Sequence, residues 1–162
     1  MIHYAGLKKN DATNTESGIC VSFWTQGCEE KCYQCHNPET WDKCGGKIIE
    51  IDDLVSQIIE AIPANNIQRN FSVLGGDPCT EYNIDTTEYV CGEVRKHFPH
   101  IKIYLWTGYL FKDIPDKIKN IVDIIIDGPF ILKEKDLSLK LRGSRNQHIY
   151  KKDFAGAWYM EE

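Results

Sequence analysis

Residues Ile19–Trp41 read ICVSFWTQGCEEKCYQCHNPETW, a short apolar run that passes without a break into a loop carrying three cysteines. Ile19 to Trp24 has the composition of a buried strand. Gly27 suits the tight turn that follows it. Cys28, Cys32 and Cys35 then form a Cys-x3-Cys-x2-Cys array, and no fourth cysteine continues it at regular spacing. Thiolates at this density bind a metal centre, and three of them on a four-iron cluster leave one iron free for another ligand. Cys44, nine residues beyond Cys35, keeps a closed four-thiolate zinc site conceivable. Disulfides fit less well. The seven cysteines are an odd number, and MIHYAGLKKND at the start has no apolar secretory core, so a reducing, cytoplasmic setting is expected.

Outward from this loop the apolar pattern alternates between two periods. Leu54, Val55, Ile58, Ile59 and Ile62 recur at helical spacing after Asp52 or Asp53 as cap, and Pro63 discourages continuation. Phe71 to Leu74 is a second strand, ending in Gly75-Gly76-Asp77-Pro78. A helix over Thr86 to Phe98, a strand over Ile101 to Trp106, a short helix near Leu110 to Lys119 and a strand over Val122 to Ile126 follow. Past Pro129 the alternation stops, leaving a short excursion and an edge strand. Strand, helix, strand, helix implies parallel strands joined by right-handed crossovers. The carboxyl ends of such strands open on one edge of the sheet, where ligands bind. The cysteine loop, the Gly75–Pro78 turn, Thr107-Gly108-Tyr109 and Asp127-Gly128-Pro129 all fall just after strands and are expected to converge there.

The 162 residues suit one domain over the whole chain and are too few for a complete eight-stranded barrel. No apolar run approaches the length of a membrane span. With 19 basic and 24 acidic residues the net charge is −5, which gives no general case for nucleic-acid binding. Lys133 to Asp153 departs from that balance, with seven basic residues against three acidic ones, a local excess of +4. Such a run is a solvated face or a place for an anionic group or a partner.

The cysteine spacing resembles the signature of radical S-adenosylmethionine (radical SAM) enzymes. Beyond it, CHNPETWDKCGG, VLGGDP, LWTGY, VDIIIDGPF and LKLRGSRNQ occur in an order that resembles the activating proteins of anaerobic (class III) ribonucleoside-triphosphate reductase. The resemblance runs through most of Ile19 to Lys151. It implies a small, partial (open) β/α barrel of the radical SAM type with a mostly parallel sheet. It implies a [4Fe-4S] cluster on Cys28, Cys32 and Cys35, with SAM chelating the fourth iron. Reductive cleavage of SAM would give a 5′-deoxyadenosyl radical that takes hydrogen from a glycine of the reductase. No side chain is then expected to be catalytic beyond the cluster and SAM. The partners are the reductase and an electron donor such as flavodoxin or ferredoxin, with no nucleic acid and no membrane.

Site residues follow from the same resemblance. Gly75, Gly76 and Asp77 stand where the glycine-rich motif receives the SAM ammonium, and a side chain on either glycine would project into the methionine's space. Thr107 and Tyr109 are placed at the SAM carboxylate, ribose or adenine, against the alternative of a helix cap and a core tyrosine. Asn37, with Trp41, is placed beside the cluster. Asp127 either contacts SAM, shapes the mouth that admits the glycine, or caps the next segment. Asn146 belongs with Arg142, Ser144 and Gln147 to a polar set at the SAM carboxylate or the partner surface. Two positions depart from the pattern: Gln34 stands where many members have glycine, and His148 where many have arginine. A radical SAM enzyme for a small molecule and a zinc-binding interaction module are the other readings.

Overall fold

The computed structural model describes residues 1–161. Eight strands form one sheet: β1 (Ile2–Asp11), β2 (Cys20–Thr25), β3 (Lys47–Ile49), β4 (Asn70–Gly75), β5 (Ile103–Trp106), β6 (Ile124–Asp127), β7 (His148–Lys152) and β8 (Trp158–Glu161). Their order across the sheet is β3-β1-β2-β4-β5-β6-β7-β8. Three α-helices accompany them among the described residues: α1 (Ile51–Ala61), α2 (Ile84–His97) and α3 (Asp116–Lys119).

This corrects the expected fold class of a mostly parallel sheet in a partial β/α barrel. Four of the seven strand pairings are antiparallel, and the sheet is an open row with β3 and β8 at its edges. Only β2, β4, β5 and β6 run parallel, side by side at the centre. The difference arises at both ends of the chain. β1 returns antiparallel onto β2 and also accepts β3, while β7 and β8 extend β6 as a meander in place of the single edge strand expected after Pro129.

The central strands are buried on both faces, as parallel strands generally are. Val21, Phe23, Phe71, Val73, Ile103, Leu105 and Ile125 point to the face covered by Leu54, Val55 and Ile58 of α1 and Val90, Cys91 and Val94 of α2. Alternate residues point the other way, where Tyr104, Ile124, Ile126 and Ile149 form a smaller cluster with Trp106 and Leu141. Towards β2 that second face turns polar. Ser22 donates its hydroxyl to Asp11 at 2.5 Å and Ser72 donates to the Asn14 carbonyl at 2.6 Å, so the loop after β1 satisfies the buried hydroxyls.

Helix ends differ in detail from the sequence reading. α1 begins with Glu50 as the capping residue, and Asp52 and Asp53 lie in its first turn, where their charge complements the helix dipole. α2 begins at Ile84, with Asn83 before it.

Candidate iron-sulfur site

Each central strand ends in a loop on the same edge, and the four loops line one cavity of about 630 Å3. Cys28, Cys32, Cys35 and Asn37 come from the loop after β2, and Gly75, Gly76 and Asp77 from the loop after β4. Thr107 and Gly108 follow β5, while Gly128, Pro129 and Phe130 follow β6. The cavity continues over the sheet between Trp24 and Trp106, under Leu139, Leu141 and Arg142. Tyr109, Asp127 and Asn146 do not line it.

The cysteine loop bends twice through left-handed backbone, at Lys31 (φ 44°) and Gln34 (φ 59°). These bends follow Cys28 and precede Cys35. Gln34 therefore occupies a conformation that glycine adopts without strain. The Cys35 sulfur accepts the Asn37 backbone N–H at 3.4 Å, and the Cys35 N–H donates to the Cys32 carbonyl at 3.0 Å. Burial pushes the Cys28 thiol up, against the pull of the Lys31 and Glu30 N–H groups. Burial also raises Cys32, which the Phe130 backbone N–H lowers in part.

No three His, Cys, Asp or Glu side chains among the described residues gather tightly enough to hold a single metal ion. Three thiols around a shared cavity, with a backbone N–H on the sulfur of Cys35, fit a multi-iron cluster better than one ion. Cys44 is exposed and does not face the cavity. Cys20, Cys79 and Cys91 are buried, and burial pushes the Cys79 and Cys91 thiols up to about 12. Cys79 is thus a packed residue rather than the loop thiol its position in the sequence suggests.

At Gly75 and Gly76 the space a side chain would need is taken by protein backbone. At Gly75, φ is +110° and a Cβ would lie 2.5 Å from the Thr25 nitrogen. At Gly76 a Cβ would lie 2.3 Å from the Gly27 carbonyl oxygen. Protein backbone fills the room these glycines leave. Both still contribute to the cavity wall, through their main chain.

Asp77 is 1 % exposed, and its carboxylate is fully engaged. One oxygen accepts the Thr107 hydroxyl at 2.7 Å and the Cys79 N–H at 2.9 Å, and the other accepts the Gly108 N–H at 2.9 Å. Burial raises its pKa to about 6 in spite of these donors. Asp77 therefore ties the β4 and β5 loops together, and Thr107 has spent its hydrogen on Asp77. Tyr109 packs against the core. Asp127 accepts the Phe111 N–H at 2.8 Å and the His148 N–H at 3.1 Å, which is the capping role.

The polar set after Leu141 stitches loops. Asn146 donates to the Pro129 carbonyl at 2.7 Å and Gln147 to the Gly128 carbonyl at 2.9 Å, while the Ser144 hydroxyl accepts the Ile131 N–H. Arg142 and Gln147 alone of the set reach the cavity. Trp41 lines a separate cavity on the other side of Cys28, where its indole Nε1 is buried without a partner. In the basic segment, Lys140 and Lys151 both pair with Glu16 and Glu161.

A family model described as a 4Fe-4S single cluster domain matches residues 16–150. The anaerobic ribonucleoside-triphosphate reductase-activating protein of Haemophilus influenzae is 30% identical over 154 residues, 93% of this chain and 98% of that protein. The protein of the same name from Enterobacteria phage T4 is 33% identical over 144 residues, 87% of this chain and 88% of its own length. This chain belongs to the anaerobic ribonucleoside-triphosphate reductase-activating protein family. The Escherichia coli K12 member is 31% identical over 144 residues, 86% of this chain and 92% of its own.

The span matched by the 4Fe-4S single cluster domain model runs from the loop before β2 to β7 and so includes all four cavity loops. Sequence reasoning missed several cavity residues: Trp24, Glu30, His36, Trp106 and Phe130. Trp24 and Trp106 had a signal, since each is the last or next-to-last residue of a central strand and alternates away from the helix face. Among the described residues no helix is long and apolar enough to cross a membrane.

Proposed function

We propose that this chain is a radical SAM glycyl-radical activating enzyme, an oxidoreductase whose protein substrate is anaerobic ribonucleoside-triphosphate reductase. The observation that carries this reading is the joint placement of Cys28, Cys32 and Cys35 with the Gly75–Asp77 turn around one cavity at the carboxyl ends of the parallel strands. The family relationship supports the same partner. Cys28, Cys32 and Cys35 would hold a [4Fe-4S] cluster, and the main chain of Gly75 and Gly76 would face SAM. When bound, the cluster and SAM supply reductive cleavage of SAM and, through it, abstraction of hydrogen from a glycine.

The chain's own residues bind, orient and exclude water. The Asn37 N–H stabilises charge on the Cys35 sulfur, because a donor to a ligating sulfur offsets part of its negative charge. Asp77 keeps Thr107 and Gly108 against the β4 turn, so this part of the cavity wall is tied together. Trp24, Trp106, Leu74 and Leu141 give the far part of the cavity an apolar lining, which keeps water from a reactive carbon centre. The open row of strands leaves a mouth through which a protein loop can reach the cavity. The chain acts as a single domain in the cytoplasm, with flavodoxin or ferredoxin as the electron donor.

The test is anaerobic. The protein reconstituted with iron and sulfide is mixed with SAM, a reductant and the reductase, and the glycyl radical is sought by electron paramagnetic resonance. A radical that depends on SAM and disappears in Cys28→Ala, Cys32→Ala and Cys35→Ala supports the proposal. Full radical yield from Cys32→Ala, or a colourless zinc-loaded protein, defeats it.

A further inference from the structure

The cysteine loop is closed at its base by groups that are not cysteines. Gly27 donates its N–H to the Thr40 carbonyl at 2.6 Å and Cys28 donates to the Trp41 carbonyl at 3.1 Å, which brings the two ends of the loop together. Beside them lies Gln26, 2 % exposed, whose side-chain Nε2 donates to the Glu39 carbonyl at 3.0 Å and the Asp42 carbonyl at 2.8 Å. Both hydrogens of that amide are used on the far end of the loop. The main chain of Gln26 is held in turn by Asn83, 7 % exposed, at the start of α2. Asn83 Nδ2 donates to the Gln26 carbonyl at 3.0 Å and to the Asp77 carbonyl at 3.0 Å.

We infer that Gln26 and Asn83 are positioning residues for the cluster: two buried amides that join both ends of the cysteine loop to each other and to the Gly75–Pro78 turn. Neither side chain lines either of the two cavities described above. Asn83 serves carbonyls that are buried, so losing its donor leaves a buried acceptor unpaired. The Glu39 and Asp42 carbonyls that Gln26 serves are partly buried, and losing both of its bonds frees the far end of the loop. The loop would then open at its base and the three thiols would part. The chemistry requires a primary amide at both positions. A carboxylate of the same shape turns the donor into an acceptor facing carbonyl oxygens, and a leucine removes it.

This inference rests on the assignment of Cys28, Cys32 and Cys35 as cluster ligands, and the experiment separates the two. Gln26→Leu, Gln26→Glu, Asn83→Leu and Asn83→Asp are reconstituted anaerobically, and the rate at which a chelator removes iron is measured beside the melting temperature. Ser72→Ala is the control, because it removes a partly buried hydrogen bond, to the Asn14 carbonyl, that touches neither the cysteine loop nor the Gly75–Pro78 turn. The amide variants should lose iron about tenfold faster than wild type, as expected for one buried hydrogen bond. Ser72→Ala should melt lower yet lose iron at the wild-type rate. Asn83 makes no side-chain capping bond to α2, so Asn83→Asp reads the loss of its donors to the Gln26 and Asp77 carbonyls. Iron loss out of proportion to the fall in melting temperature is what separates positioning from a purely structural role. Wild-type iron loss in the amide variants, or equal acceleration in Ser72→Ala, overturns the inference. Should a leucine variant fail to fold, the isosteric carboxylate variant at the same position decides. A stable cluster in Cys32→Ala would instead refute the ligand assignment, whatever the amides do.

Discussion

The backbone of Gly27 lies so close to Gly76 that a Cβ on Gly76 would sit 2.3 Å from the Gly27 carbonyl oxygen. The Asp77 N–H donates to that same carbonyl at 2.8 Å, so the cysteine loop and the β4 turn are packed main chain against main chain. A methyl group at Gly76 has no flexible neighbour to displace. Gly76→Ala should therefore cost about 1–3 kcal/mol and impair cluster binding and the SAM response together. Melting temperature and iron content of the reconstituted variant check this. A variant with full iron and a lost SAM response would show that the glycine makes room for the ligand.

Asp77 gives the chain a pH dependence of unusual sign. Its pKa is raised from 3.8 to about 6 in the fold, so between those values the folded chain binds more protons than the unfolded one. Stability then falls as pH rises through that window and levels off above it. The full effect is on the order of 3 kcal/mol. Asp77→Asn carries no charge and lacks this slope. Its stability relative to wild type should improve between pH 5 and pH 8, measured by urea unfolding of both proteins. A constant difference across that range would mean that Asp77 keeps an ordinary carboxylate pKa.

Gln34 precedes Cys35 with a φ of 59°, a region that costs an L-residue about 1–2 kcal/mol. Gln34→Gly relieves that cost and gives back part of it as unfolded-chain entropy. A net gain of about 0.5–1 kcal/mol is expected, read as a higher melting temperature with iron content unchanged. A lower melting temperature would show that the glutamine side chain contributes more than its backbone costs.

The four central strands and the cysteine loop were legible because their residues speak locally: Phe71, Val73, Ile103 and Leu105 are buried and β-forming wherever they sit. β1 was not. Its core-facing residues are Ile2, Tyr4 and Leu7, and the register slips between Tyr4 and Gly6, so the alternation changes phase in the middle of the strand. β3, with three residues, is too short to carry a period. Missing these two strands, and β7–β8 as a pair, is what made the sheet look mostly parallel. The site divides in the same way. Thiols at fixed spacing announce themselves, whereas Gln26 and Asn83 matter only through carbonyls brought near by the fold. Asp127 and Tyr109 follow strands as ligand residues do, but a strand end also needs caps and core, and those needs take both side chains.

Lys140 and Lys151 have partners within the chain. Glu16 accepts from Lys140 at 2.8 Å and from Lys151 at 2.9 Å, and Glu161 accepts from Lys151 at 2.8 Å and Lys140 at 3.2 Å. The network fastens the loop after β1 to β7, β8 and the segment over the second sheet face. Burial works to raise the Glu16 pKa, but the two lysines outweigh it and the carboxyl is held below its usual value of 4.5. Its contribution to stability is present above that value and is lost as pH falls through the lowered one. The Lys151 side chain is 17 % exposed and that of Lys140 is 50 % exposed, so solvent screens the second far more. Lys151→Ala should cost about 1–2 kcal/mol and Lys140→Ala less than about 1 kcal/mol. Urea unfolding at low and moderate salt reads both. A Lys151→Ala protein as stable as wild type would leave these pairs without energetic weight and return both lysines to the pool of charges free to meet an acidic partner. If the costs appear as stated, docking charge must come from the segment's other cations. Among these, Lys133, Lys135 and Arg145 neither line the cavity, as Arg142 does, nor lie over an aromatic ring, as Lys152 does over Trp158. Reversing those three should then weaken association with the reductase, in a salt-dependent way, without lowering the melting temperature.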